Sequence, residues 1–207
     1  FDYKENTLLY LPKYPPVQFG EKVSYYYDAL AGEISRLIDA ASGHCLVLFT
    51  SYAAMSAIKE RLLELNLLFP LFALDSNNPS HTVKRFKEQP GAVLLATGAA
   101  WEGMDFPGDC VSLLVIPKLP FAFPDELREK QKEQYDSLHD FIQAIIIPEM
   151  QIKLRQGFGR AIRTETDTCV IAILDDRAGR NGRYYGAMLE ALPELRCTSD
   201  LADVTKF

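Results

Sequence analysis

Five short, uncharged and largely apolar runs constrain this chain more than anything else in it: residues 45–49, 68–74, 92–96, 111–116 and 169–174. A strand wetted on one side alternates apolar with polar residues, whereas a strand covered on both faces reads as a continuous apolar run. The last run, CVIAIL, is of the second kind. Between the first three runs lie segments of helical length, residues 53–65 and a shorter one that Ser80 caps. Ahead of them, residues 21–41 place Tyr26, Leu30, Ile34, Leu37 and Ile38 on one helical stripe that stops at Gly43. This β-α-β-α-β alternation predicts an α/β domain, a mostly parallel sheet with helices on both faces.

With 207 residues the chain has room for one such domain with a full core, and a single domain over 1–207 is expected. Residues 1–18, rich in proline, read as a leading strand near 7–11 and a connection; the segment starts as though cut from a longer chain. Residues 119–148 form an excursion: a proline-rich stretch, a charged helix over 125–138 and an apolar segment over 141–147. Residues 193–207 carry no readable signal. No repeat or low-complexity tract occurs.

Formal charge is −6 with a pI near 5.1, which argues against wholesale electrostatic binding to nucleic acid. Locally the balance reverses. Residues 149–163 hold four basic residues against one acidic, a net of +3. The four cysteines, at 45, 110, 169 and 197, lack any C-x-x-C spacing; three of them sit in or beside apolar runs, which favours buried free thiols in a reducing compartment. No uncharged apolar run reaches membrane-spanning length and the start is no signal peptide, so a soluble, cytoplasmic protein is expected.

Chemistry in open α/β sheets collects where strands end at their carboxyl edge. Three stretches lie at such ends. Thr50-Ser51-Tyr52 follows the first apolar run, and Ser51 serves there as a helix cap, a ligand contact or both. TGAAWEGMDFPG, residues 97–108, is a glycine-rich loop that Trp101 can anchor from within. Asp175-Asp176-Arg177 follows the last run, and Arg180 and Arg183 lie beyond it among glycines, as a flexible basic turn or a contact to nucleic-acid backbone.

Residues 151–163, QIKLRQGFGRAIR, read as a helix with two faces, opened by Pro148. Gln156, Arg160 and Arg163 share one quadrant with Gly159 beside them, while Leu154, Phe158, Ala161 and Ile162 form a buried stripe. Each glycine inside a helix costs roughly 1 kcal/mol against alanine. Two of them point to close backbone approach.

Gln-x-x-Gly-Arg-x-x-Arg resembles the sixth motif of superfamily 2 helicases. With Asp167 and the Leu-Asp-x-Arg ending it is similar to the DinG/XPD branch, its wording nearer the bacterial DinG members. Thr50-Ser51-Tyr52 resembles motif IV of that branch, Trp-Glu-Gly-x-Asp followed by Pro-Gly resembles motif V, and PKLPF-x-x-P matches as well. The resemblance implies a RecA-like fold and, for nearly the whole chain, the second of two motor lobes.

It further implies roles. Arg160 and Arg163 would be arginine fingers, and Gln156 would bond the γ-phosphate or the attacking water. Glu102, Gly103, Asp105 and Gly159 would lie at the nucleotide, and Thr50, Ser51, Tyr52, Thr97 and Trp101 on the path of single-stranded DNA. An Asp accepts from a ribose hydroxyl, and a Gly lets backbone approach. Movement would run 5′ to 3′. The branch's iron–sulfur cysteines lie in the other half of those enzymes.

The chain contains no G-x-x-x-x-G-K-[ST] and no Asp-Glu-Ala-His run. The phosphate cradle and the carboxylates that hold magnesium are therefore expected on an N-terminal lobe, with ATP and Mg2+ bound mainly there. This lobe alone is expected to be inactive. Two other classes are open: a non-catalytic RecA-like module binding nucleic acid or protein, and a stand-alone enzyme for a dinucleotide or nucleotide sugar. The Gly157-Phe158-Gly159 fragment suggests the latter, but the dinucleotide fingerprint needs a preceding strand and a third glycine where this chain has Ile162.

Overall fold

The computed structural model describes residues 2–18, 22–74, 77–101, 111–162, 164 and 166–207. One seven-stranded sheet organises them, built from β1 (Thr7–Tyr10), β2 (Cys45–Leu48), β3 (Leu71–Ala73), β4 (Val93–Ala96), β5 (Leu113–Ile116), β6 (Cys169–Ile173) and β7 (Arg196–Thr198). The order is β3-β4-β2-β5-β6-β1-β7, and every neighbouring pair is parallel. The parallel α/β class expected from the apolar runs is the observed one. All four residues of β2, β4 and β5 are buried, as a strand covered on both faces requires.

Alternate residues of each strand enter opposite cores. On one face Leu9, Leu46, Leu94, Leu114 and Ile171 pack against α4 (Pro79–Glu88), α7 (Ile147–Ala161) and α8 (Tyr185–Ala191) through Phe86, Met150, Leu154, Phe158 and Met188. On the other, Leu8, Val47, Val93, Val115 and Val170 meet α2 (Val23–Ala41), α3 (Tyr52–Glu64) and α9 (Leu201–Lys206) through Leu30, Ile34, Leu37, Ile58 and Val204. Each such fully buried side chain contributes about 1.5–3 kcal/mol relative to exposure.

The structure differs from expectation in four places. The cap of α4 is Asn78, whose side chain accepts from the His81 amide at 3.3 Å, and Ser80 lies inside the helix. The charged helix is shorter than 125–138: it covers Glu126–Lys132, capped by Asp125, and turns end it before Ser137 caps a new helical start at Leu138. Pro148 does not open the next helix. Residues 138–161 are continuously helical, with a π-helical turn at Ile142–Ile146 just ahead of the proline. The Ile147 amide reaches back to the Ile142 carbonyl, a wider register that accommodates a ring with no N–H to donate. Finally, residues 193–207 are structured: β7 pairs with β1, and α9 seats Val204 in the second core.

Among the described residues no helix is long and apolar enough to cross a membrane. Cys45 and Cys169 are buried free thiols, Cys197 is exposed on β7, and Cys110 lies outside the described residues.

Candidate functional site

The carboxyl ends of β4, β2, β5 and β6 lie side by side, so the segments that follow them meet along one edge. Thr50 and Ser51 follow β2, and the Ser51 hydroxyl accepts from the Ala54 amide at 3.2 Å to cap α3. Tyr52, the first residue of that helix, stays 63% exposed. Behind this turn the Phe49 carbonyl accepts two side-chain donors, the Thr97 hydroxyl at 3.0 Å and the Trp101 indole N–H at 2.8 Å.

Both of those donors were expected on the path of nucleic acid. The structure turns them inward. Trp101 is 1% exposed and Thr97 is buried, so they form a floor and leave Thr50, Ser51 and Tyr52 as the outward residues. The indole also explains one helix glycine. A Cβ on Gly157 would stand 2.7 Å from Trp101 Cζ3, too close for any side chain. The close backbone approach inferred from the glycines is therefore made, at Gly157, to the protein's own tryptophan.

Over this floor lies a cleft of about 360 Å³ lined by Thr50, Ser51, Tyr52, Phe121, Phe123 and Lys153. Phe123 is 67% exposed. A second cleft, about 300 Å³, shares the Phe121–Phe123 wall and continues past Tyr26, Lys118 and Arg177. The Lys118 ammonium sits 4.9 Å from the Tyr26 ring centroid. Burial, and then the Asp175 carboxylate, push the Tyr26 phenol above its usual range, so it stays a donor. Phe121, Phe123, Lys118 and Lys153 carry no assigned role in the sequence. The signal was present: Lys153 stands three residues before Gln156, on the same side of the helix.

Asp175 holds the aromatic wall in place. It is 4% exposed and accepts from the Leu119 amide at 2.8 Å, the Arg177 amide at 3.0 Å and the Arg177 guanidinium at 3.0 and 2.8 Å. Hydrogen bonding to this carboxylate raises Arg177 further above its already high value. The Leu-Asp-x-Arg ending is thus a clamp between the 117–124 segment and the end of β6.

Helix α7 runs along the first core with Leu154, Phe158 and Ala161 buried, as the stripe predicts. Gln156 and Gly159 are exposed, Arg160 is partly buried, and a Cβ on Gly159 would meet nothing within 4 Å among the described residues. The helix ends at Ala161 and Ile162 is extended, at φ −118° and ψ 111°. Buried Ile162, packed in the first core, thus leaves the helical path. Asp167 closes the turn that follows, accepting from the Thr164 amide at 2.8 Å and its hydroxyl at 2.5 Å. Arg163, Glu102, Gly103 and Asp105 lie outside the described residues. Among those described, no group of three or more His, Cys, Asp or Glu is placed to hold a metal ion.

Residues 34–195 match the family model of the helicase C-terminal domain. The ATP-dependent DNA helicase YoaA of Haemophilus influenzae is 36% identical over 210 residues, covering 100% of this chain and 32% of that protein. The ATP-dependent helicase DinG of Mycobacterium tuberculosis is 30% identical over 206 residues, covering 99% of this chain and 30% of that one. The chain therefore spans about a third of the curated relatives it matches. Among solved structures an XPD helicase superposes with a TM-score of 0.72 at 17% identity, covering 93% of this chain and 36% of that one. The C-terminal domain of the DEAD-box protein Dbp5 gives 0.57 at 14%, covering 99% and 96%. The fold is thus that of helicase C-terminal lobes, and the chain belongs to the helicase C-terminal domain family, in its DinG/XPD-like branch.

Proposed function

We propose that this chain is the C-terminal motor lobe of an ATP-dependent DNA helicase, working with an N-terminal RecA-like lobe of the same full-length protein. One observation carries the reading. Gly157 packs α7 directly on Trp101, and Trp101 is bonded to the Phe49 carbonyl behind the hydroxyl turn, so the polar side of α7 and the edge clefts belong to one rigid unit. A lobe built this way can couple a fuel site to a strand site.

On the fuel side, Arg160 and Arg163 reach across the interlobe cleft to the γ-phosphoryl group and Gln156 bonds that group or the attacking water. Glu102, Gly103, Asp105 and Gly159 lie along the nucleotide. The cradle and Mg2+ belong to the N-terminal lobe, because this chain has neither sequence run that supplies them. On the strand side, Thr50, Ser51 and Tyr52 face single-stranded DNA, Thr97 and Trp101 support them from below, and the exposed aromatic rings offer stacking surfaces that ignore sequence. Closure on ATP and release after hydrolysis move the strand, 5′ to 3′.

In the full-length protein, Arg160→Ala is expected to lower DNA-stimulated ATP hydrolysis by about 10³-fold or more while ATP binding survives. Turnover within a few-fold of the parent would remove Arg160 from the finger role. Turnover by the isolated chain would instead favour a stand-alone enzyme.

A further inference from the structure

Beyond Arg177, the basic turn that leads to α8 takes no part in the site as described so far, and three observations give it one. First, it is built rather than loose. A Cβ on Gly182 would lie 2.2 Å from the Arg177 carbonyl oxygen, and the backbone closes through Gly182 N to Gly179 O at 2.7 Å and Tyr184 N to Arg177 O at 2.9 Å. The flexible turn that the glycines suggest is instead a fixed one.

Second, its charges are available. Arg177 is committed to Asp175, whereas Arg180 and Arg183 are exposed and have no carboxylate partner among the described residues. On a chain of net charge −6, two fixed outward guanidiniums are a local reversal. Third, the turn is continuous with the clefts. The Arg183 guanidinium stands 4.8 Å from the Tyr184 ring centroid, Tyr184 stands 4.7 Å from Phe121, and the Arg177 guanidinium stands 5.0 Å from the other ring of that pair. Phe121 lines both clefts. The surface therefore runs unbroken from Ser51 over Phe121 and Tyr184 to Arg183.

We propose that Arg180 and Arg183 form an extension of the strand site, receiving backbone phosphates of single-stranded DNA where the strand passes beyond the aromatic wall. This rests on the helicase reading above and adds a subsite to it. Guanidiniums suit phosphate oxygens through their forked donors, and a contact confined to the backbone suits a track that must accept any sequence. The two contacts act by releasing counterions, so they have a salt signature.

The test uses the full-length protein and fluorescein-labelled oligo-dT of increasing length, with affinity read by anisotropy from low to moderate salt. For Arg180→Ala/Arg183→Ala the slope of log K against log salt is expected to shrink by about 1.4, near 0.7 for each arginine. The loss should appear only with oligonucleotides long enough to leave the clefts; short ones should bind parent and variant alike. Arg180→Ala alone, at an exposed side chain with no ring against it among the described residues, should give half the change. An unchanged slope, or an equal loss at every length, overturns the proposal. Weaker binding of poly-glutamate with an unchanged DNA slope would assign the turn to an acidic protein segment and overturn it too. Failure of the parent protein to bind oligo-dT at all would instead sink the helicase reading beneath it.

Discussion

Gly157 and Gly159 stand two positions apart in one helix and serve opposite ends. At Gly157 a methyl group would collide with Trp101, at 2.7 and 2.9 Å from two ring carbons. Gly157→Ala should therefore destabilise the fold by about 1–3 kcal/mol, the usual range for overpacking a filled core, read as a lower urea midpoint at constant m-value. At Gly159 the same methyl meets no described atom within 4 Å, so Gly159→Ala should stabilise by up to about 1 kcal/mol through helix propensity. If ATP hydrolysis by the full-length Gly159→Ala protein falls while stability rises, the exposed backbone there is used by a ligand. The sequence announces two expensive glycines, but not that one answers to the protein's own indole. Trp101 is the companion case. An aromatic residue in a glycine loop reads equally well as a stacking surface or an anchor, and only packing against a helix 56 residues away distinguishes them.

Elements with strong periodicity were legible, and those created by pairing were not. The stripe of α2 and the apolar runs of β2, β4, β5 and β6 lie where the sequence puts them, within a few residues at their ends. Residues 196–198, Arg-Cys-Thr, have neither alternation nor an apolar run, and their first two side chains are exposed. They become a strand because β1 offers an open edge, with Leu9 opposite Cys197 and Tyr10 opposite Thr198. Likewise the helical periodicity runs on past Ala161, because a helical wheel has no knowledge of the core that claims Ile162. Cutting the chain before Pro193 removes β7 and α9, uncovers β1 and exposes the pocket of Val204. The expected loss is at least about 2 kcal/mol, measurable by urea denaturation. An unchanged midpoint would show that the seventh strand is ornamental.

For the molecule as a whole, burial makes its thiols unequal. Desolvation pushes Cys45 and Cys169 far above the normal thiol range, while Cys197 is exposed and raised less. Alkylation of the native chain at neutral pH should mark Cys197 well before Cys45 and Cys169, and peptide mapping would show all three modified once urea unfolds it. The same burial sets a pH limit. Tyr10 and Tyr26 are also raised, by desolvation first, with the Tyr10 phenol donating to buried Glu33 at 2.6 Å. Groups whose folded values are raised stabilise fully below their unfolded values, about 8.5 for thiols and 10 for phenols. Above that the unfolded chain releases protons that the folded chain retains, so stability falls as pH climbs from about 8.5. The urea midpoint should hold from neutrality to that point and then decline.

The Phe49 carbonyl, with Thr97 and Trp101 both bonded to it, has one more implication. Communication between neighbouring strands of a sheet ordinarily passes through a series of contacts, each able to absorb some displacement. Here the series is short: the Phe49 amide donates to the Ala96 carbonyl at 2.8 Å, and the Phe49 carbonyl takes both side chains. The hydroxyl turn and the glycine loop meet at one oxygen, so neither can shift without tugging the other, and tuning the strength of that grip is a matter of two donors rather than of an extended relay.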